Sequence, residues 1–307
     1  KALKFGQESI APLVSAQKEL ADAAGKAKRK FEPRVVADDV QDEAESIISD
    51  RITEALLIQA KLEREAACNA LKDEMEEKLV EKFGAENVSG FIVNEAFYSI
   101  QKAAVRKLVL DDGKRLDGRG FDDLRPLTSE AGMIPRTHGS GLFSRGETQG
   151  LSLVTLGTTD DTQSFDAYTG GPSEKRFMLH YNFPNFSVGE TGRIMGPGRR
   201  EIGHGALAER SISPVIPSLE DFPYAVRVTA EIMESNGSTS MAAVCSGTLA
   251  LLDAGVPLKR PVAGISIGLC TREKINDSNE TKEIEAYKLL TDIIGWEDAF
   301  CDMDCKI

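Results

Sequence analysis

The segment Asp298-Ala-Phe-Cys-Asp302-Met-Asp304-Cys-Lys306 concentrates acidic and basic groups at short spacing. In an extended strand, residues two apart share a face. Asp302, Asp304 and Lys306 are therefore expected side by side, with Asp298 arriving from the preceding turn. Carboxylates beside an ammonium suit hard divalent cations and phosphate oxygens. By itself the segment reads more simply as a solvated acidic strand end, because charged side chains mostly face water.

Two upstream turns add the complementary chemistry. The first, Gly196-Pro-Gly198-Arg199-Arg200-Glu201-Ile-Gly203-His204-Gly205, carries paired guanidiniums, whose planar forks match phosphate oxygens. The second, Glu234-Ser235-Asn236-Gly237-Ser238-Thr239-Ser240-Met241, precedes a small-residue stretch from Ala242 to Ala254 that reads as a buried helix. Ser238 to Ser240 then fall at a helix start, where free N–H groups and hydroxyls accept an anion. Each feature has a plain alternative: Ser-Thr-Ser as a helix cap, Arg-Arg as a surface pair. Together with the acidic segment they supply an anion cradle, cations and metal-binding carboxylates, the parts needed for phosphoryl transfer.

The elements that position these groups fall into two compositional regions. Up to about residue 110 the pattern is helical. Pro12 and Gly25 bracket a first helix, Gln7 to Ala24, followed by the basic connector Lys26 to Lys30. A second segment starts at the caps Asp38 and Asp39. It repeats apolar residues at Val40, Ala44, Ile48, Ile52, Ala55 and Leu62, and continues through Cys68, Leu71, Met75 and Leu79 to Gly84. A third follows Ser89-Gly90, with Val93, Phe97, Ile100, Ala104 and Leu108 on one stripe. Beyond Asp111, strands are expected at Leu151–Leu156, Lys175–Phe183, Tyr224–Ile232, Val262–Leu269 and Tyr287–Ile294. Helices are expected at Glu201–Arg210 and Gly247–Ala254, and Arg272–Glu285 reads as a charged loop. The class is α+β: an all-helical domain followed by a mixed-sheet domain.

The 307 residues allow two domains, 41% hydrophobic content excludes wholesale disorder, and no apolar run is long enough for a membrane helix. The start, Lys-Ala-Leu-Lys-Phe, is not signal-like, and its lack of methionine points to a processed or truncated chain. The five scattered cysteines do not form a disulfide framework or a zinc site, which fits a reducing compartment. The net charge of −12 argues against a general nucleic-acid binder, although a locally basic channel can still admit a polyanion. His138, His180 and His204 show no catalytic or metal-binding spacing. His204 is the one to watch, one helical turn from Arg200. No dinucleotide fingerprint or phosphate-loop motif is present.

The chain resembles polynucleotide phosphorylase. The resemblance rests on Arg115-Leu-Asp-Gly-Arg119, Pro135-Arg-Thr-His-Gly-Ser140, Leu142-Phe-Ser-Arg-Gly-Glu-Thr-Gln149 and His180-Tyr-Asn-Phe-Pro184. It continues through Ser187-Val-Gly-Glu-Thr-Gly192, Arg199-Arg-Glu-Ile-Gly-His-Gly205, Glu234-Ser-Asn-Gly237 and Asp302-Met-Asp304. It implies a helical linker domain over 1–110 and a C-terminally incomplete second ribonuclease-PH-like core over 111–307. The implied activity is processive 3′-to-5′ phosphorolysis of RNA, releasing nucleoside diphosphates and reversible as polymerisation. The implied partners are an RNA 3′ end, inorganic phosphate and nucleoside diphosphates, within a homotrimer. By position, Arg199 and Arg200 would engage RNA or phosphate, and Thr239 and Ser240 would hold the attacking phosphate. Asp298 and Asp304 would bind Mg²⁺ or Mn²⁺, and Lys306 would stabilise developing charge.

Departures from the family pattern include Thr239 for a usual serine, Cys301 for a customary glycine and Cys305 for a usual phenylalanine. Cys301 is expected to restrict the backbone beside the metal site, and both cysteines to point away from the acidic face. The rest of this core, the first ribonuclease-PH-like core, the KH domain and the OB-fold domain are expected elsewhere in the full protein. A bacterial cytoplasm, a chloroplast and a mitochondrion all fit. The alternative functions are a non-catalytic structural or assembly component derived from the enzyme, and an isolated RNA-binding module.

Overall fold

The computed structural model describes residues 1–165, 174–193, 195–275 and 282–307. Four helices come first: α1 (Ala2–Ala24), α2 (Asp38–Leu56), α3 (Lys61–Phe83) and α4 (Gly90–Leu110). Helix α1 begins earlier than its sequence punctuation implies and contains Pro12 in its interior. No residue of α1 is buried, so water can satisfy the carbonyl that Pro12 leaves without a donor.

The segment from Asp38 to Gly84 is two helices, not one. The chain folds back between Leu56 and Lys61, and the fully buried Arg64 donates to Ile58 O at 2.8 Å and Gln59 O at 3.3 Å. These bonds satisfy turn carbonyls that burial would otherwise leave open. The reversal lets Ile48, Ile52 and Leu56 meet Cys68, Met75 and Leu79 in one core, which the α4 residues Val93, Phe97, Ile100 and Leu108 complete. Ser89 caps α4 by accepting from Ile92 N.

The remaining chain runs β1 (Leu127–Ala131), β2 (Gly139–Arg145), β3 (Thr148–Gly157), β4 (Gln163–Ser164), β5 (Glu174–Lys175), β6 (Phe177–Asn182), α5 (Arg199–Ile212), β7 (Ala225–Glu234), α6 (Thr239–Asp253), β8 (Ser266–Ile275), β9 (Lys282–Thr291), α7 (Gly295–Phe300) and β10 (Met303–Lys306). Five strands form a mixed sheet in the order β1-β2-β3-β7-β6, with only the β6–β7 pair parallel. Helix α6 lies directly on it. A Cβ at Gly141 would come within 2.7 Å of Ala250 N, so the close contact depends on that glycine. Strands β1 and β2 hold one β-branched or aromatic residue each, Thr128 and Phe143, which hid them from propensity.

A second, antiparallel sheet has the order β10-β8-β9 and pairs Asp304 with Gly268 and Lys306 with Ser266. Strands β8 and β9 extend into the region expected as a charged loop, as far as Ile275 and from Lys282; residues 276–281 of that expectation lie outside the described residues. This sheet does not form a separate core: Cys270, Leu290, Ile293, Ile294 and Phe300 are buried together with the α2–α4 residues. The helical region is thereby packed onto the segments that carry the acidic residues.

Candidate active site

The hydroxyl turn joins β7 to α6 and is held by its backbone. Thr148 Oγ1 donates to Gly237 O (3.1 Å) and accepts from Asn236 N (3.0 Å). Arg125 Nη1 donates to Asn236 O (2.6 Å), Arg145 Nη2 to Ser238 O (3.0 Å), and Lys61 Nζ from α3 to Ser235 O (2.8 Å). Gly237 has φ +92°, and a Cβ there would lie 2.7 Å from Ile293 O. Ser238 takes the left-handed conformation, φ 50°, immediately before the helix. Thr239 and Ser240 are buried, and Ser238 Oγ and Ser240 Oγ have no hydrogen-bond partner among the described residues. Unpaired buried hydroxyls at a helix N-terminus are costly unless an oxyanion or water meets them. The turn thus fits phosphate.

The frame behind this turn is a buried ionic cluster to which sequence reasoning assigned no role. Asp292, fully buried and at φ 54°, receives a fork from Arg125: Nε to Oδ2 at 2.9 Å and Nη2 to Oδ1 at 2.7 Å. Arg145 Nε lies 2.8 Å from Oδ1, and Arg119 Nη1 donates to Oδ2 at 3.2 Å. Burial opposes the Asp292 charge, but the hydrogen bonds and charge of Arg125, with the charge of Arg145, hold its carboxyl below the usual range. Beside it, Arg115 forks onto buried Glu297 at 2.9 and 2.6 Å, and Glu297 accepts from Ile294 N at the start of α7. One network therefore fixes both the hydroxyl turn and the helix bearing Asp298. Arg115, Asp117 and Arg119 stood in a quoted motif; the signal for their role was the density of arginine from 115 to 125.

Asp298 lies on α7, not in a turn, and faces Asp304 on β10. Burial first, then the Asp304 charge, raises its carboxyl above the usual range, while Lys306 and Arg200 counteract them. Asp304 and Lys306 form an ion pair. Arg200 is exposed at the start of α5 and lies over the Phe183 ring, 5.6 Å from its centroid. Glu201 sets that helix start by accepting from Gly198 N (2.7 Å) and Phe183 N (2.8 Å). His204, one turn along, is half-buried; burial, then Arg200 and Lys306, lower its pKa against the opposing Asp304. The basic turn and the acidic strand thus share one site, and Arg200 is the guanidinium that acts on Asp298 and His204. Arg199 is exposed at the first position of α5.

Tyr181 ties the two parts together and was not foreseen. Its phenol on β6 lies 2.6 Å from Thr239 Oγ1 and 3.4 Å from His204 Nδ1. Burial pushes its pKa up to about 12 despite the Thr239 hydrogen bond and the Arg200 charge.

Asp302 does not join Asp304 and Lys306. Strand β10 begins at Met303, and Asp302 turns instead to Thr271 N (2.7 Å), Thr271 Oγ1 (2.8 Å) and Arg106 Nη1 of α4 (2.7 Å). It locks the strand to the helical region. Cys301 has φ −71° and ψ 156°, open to any residue, so replacing glycine restricts nothing needed here. Its sulfur packs toward Gly268, while Cys305 is exposed. His138 accepts from Leu156 N, a structural role. Among the described residues no group of three or more potential ligands gathers, but the facing carboxylates of Asp298 and Asp304 are a hard-oxygen pair. One or two carboxylates plus substrate phosphate are an ordinary donor set for Mg²⁺.

Residues 39–120 match the family model "Polyribonucleotide nucleotidyltransferase, RNA binding domain", and residues 123–257 match "3′ exoribonuclease family, domain 1". A polyribonucleotide nucleotidyltransferase of Opitutus terrae is 51% identical over 312 residues, covering 100% of this chain and 42% of the relative. Those of Methylacidiphilum infernorum and Bacillus subtilis are 49% and 46% identical, with the same coverage of both chains. The chain thus spans 42% of the length of these relatives. A solved chain of the Archaeoglobus fulgidus exosome with RNA bound to the active site is 18% identical, with TM-score 0.49, over 68% of this chain and 82% of that one. With two family models matched in tandem and near-half identity along its whole length, the chain belongs to the polyribonucleotide nucleotidyltransferase family.

Proposed function

We propose that this chain carries the chemical half of a 3′-to-5′ RNA phosphorolysis site, releasing nucleoside diphosphates and running in reverse as a polymerase. The observation that carries this reading is the convergence of Arg200, His204, Asp298, Asp304 and Lys306 at one site, linked through Tyr181 to the hydroxyls at the start of α6. Inorganic phosphate is already a nucleophile, so no activated serine or cysteine is required. The obstacle is bringing two anions together, which a preformed cradle of cations and N–H and O–H donors offsets.

In this reading Thr239 and Ser240 hold the attacking phosphate, and Arg199 and Arg200 hold the RNA backbone. Lys306 sits where negative charge develops. Asp298 and Asp304 would hold Mg²⁺ or Mn²⁺, which when bound supplies charge stabilisation for the departing 3′ oxygen. Residues 1–110 act as the helical linker domain and 111–307 as the catalytic core. We place the chain in a homotrimer of a longer protein, in a bacterial cytoplasm or an organelle of bacterial type.

The test is phosphate-dependent release of nucleoside diphosphate from an RNA with a free 3′-OH, by the chain alone and within the longer protein. Turnover that requires a divalent cation and is lost in Asp304→Asn supports the reading. RNA binding without turnover in either context leaves a binding module. Neither turnover nor binding leaves a structural component.

A further inference from the structure

Tyr181 belongs to no motif role assigned above, yet it sits between the two halves of the site. It is 4% exposed, as is Thr239, and Thr239 Oγ1 lies 2.6 Å from its phenol oxygen. The contact is rigidly supported. Strand β6 pairs in parallel with β7, which runs straight into the hydroxyl turn, placing Tyr181 opposite Ala230. Helix α5 presses on the same residue: a Cβ at Gly205 would lie 3.3 Å from Tyr181 Cβ. The His204 ring meets the phenol edge-on, centroids 5.4 Å apart, with Nδ1 3.4 Å from the phenol oxygen.

A row of two buried hydroxyls ending at a half-buried imidazole has a direction, because each hydroxyl carries one proton. If Thr239 donates to Tyr181 and Tyr181 donates to His204, the threonine offers the cradle only lone pairs, which repel an oxyanion. If Tyr181 donates to Thr239, the threonine proton is free to point at the anion. His204 must then carry its proton on Nδ1, so that no two lone pairs face each other.

We propose that Tyr181 is a positioning residue for the anion cradle: its phenol donates to Thr239 Oγ1 and so turns the threonine hydroxyl proton toward bound phosphate. This rests on the reading of Thr239 as a phosphate-holding group. The adjacent Ser240 hydroxyl, without a partner among the described residues and in a residue with 0% exposure, marks the same place as one built for a ligand. Tyr181 touches no substrate in this scheme; it acts through Thr239.

The experiment measures inorganic phosphate binding by calorimetry in the unaltered chain, Tyr181→Phe, Thr239→Val, Thr239→Ser and the Tyr181→Phe/Thr239→Val double variant. Tyr181→Phe keeps the ring and removes only the donor. It is expected to weaken phosphate binding roughly five-fold, the size of one net hydrogen bond. The double variant is expected to bind no more weakly than Thr239→Val alone, and Thr239→Ser to keep its dependence on Tyr181. Losses that simply add, or a Tyr181→Phe chain that binds like the original while Thr239→Val is impaired, overturn the proposal but leave the phosphate site standing. No effect of Thr239→Val, or no phosphate binding by the unaltered chain, overturns both. A second readout is the tyrosine Raman doublet, which distinguishes a donating from an accepting phenol; because the chain has five tyrosines, the Tyr181 contribution is taken as the difference between the spectra of the unaltered chain and Tyr181→Phe. It should move toward donation when phosphate is added; no movement, or movement toward acceptance, counts against the proposal.

Discussion

Replacing Asp292 by asparagine should cost this chain more than any other single isosteric change near the site. The Asp292 side chain has 0% exposure and faces the side chains of Arg119, Arg125 and Arg145, themselves 13%, 6% and 3% exposed. Removing one partner of a buried ion pair costs about 3–5 kcal/mol, because the remaining charge is left in a poor solvent. Here several guanidiniums would be left around one amide, whose NH₂ adds a donor where an acceptor was needed. Asparagine tolerates φ 54°, so backbone strain does not inflate the result. We therefore expect a loss toward the top of that range, about 4–5 kcal/mol. The assay is urea unfolding followed by the fluorescence of Trp296, the one tryptophan, which sits on α7 beside the cluster. The pH dependence has a definite sign. The folded carboxyl titrates below its unfolded value, so its contribution is complete above that unfolded value, about 3.9. It is lost as pH falls through the lower folded value. The gap between the original chain and Asp292→Asn should hold at neutral pH and close only in strong acid. A loss under about 1 kcal/mol at pH 7, the size of an exposed pair, would refute the clamp as the frame of the site.

Asp298→Asn should behave oppositely: removing a carboxylate that partial desolvation and Asp304 disfavour should stabilise the metal-free chain slightly, by about 0.2–0.5 kcal/mol because solvent screens this exposed side chain, while abolishing the cation-supported turnover proposed for the longer protein. Denaturation midpoints with and without Mg²⁺ check this, and a destabilised variant contradicts it. Arg106→Met cuts the α4–Asp302 lock and should cost about 1–3 kcal/mol. Faster amide exchange in 302–306 would accompany the loss, with the 235–240 turn unchanged. Gly237→Ala combines a φ of +92° with a Cβ placed 2.7 Å from Ile293 O, and should cost at least about 2 kcal/mol. Phosphate binding should fall with stability, and an alanine variant with full phosphate affinity would show that the turn can move away from Ile293.

Residues that act through local spacing were legible; residues that act across the chain were not. Thr239 and Ser240 could be placed because a hydroxyl run before a small-residue helix has few other conformations, and α6 begins at Thr239. Asp304 and Lys306 could be placed because alternation along β10 is a local rule. The same rule failed for Asp302, one residue before the strand starts, where a tertiary offer from Arg106 and Thr271 outweighs the alternation. Folding back near Leu57 was hidden for a related reason. The apolar period runs through the break, and the turn is stabilised by Arg64, a charged residue that composition alone assigns to the surface.

The arginine cluster shows why such misses collect at the site. Arg115, Arg119 and Arg125 precede β1 and Arg145 ends β2, while their partners Asp292 and Glu297 lie between β9 and β10. Pairing across that separation requires the fold to exist first, and no spacing rule encodes it. Yet this pairing sets the distance between the hydroxyl turn and the acidic helix, since Arg125 bonds Asp292 on one side and Asn236 O on the other. An anion cradle attracts a phosphate that a carboxylate pair repels, so the proposed chemistry depends on their separation more than on either alone. The parts of the site that sequence displayed are the groups that would touch a ligand; the part that it concealed is the buried scaffold holding them at working distance.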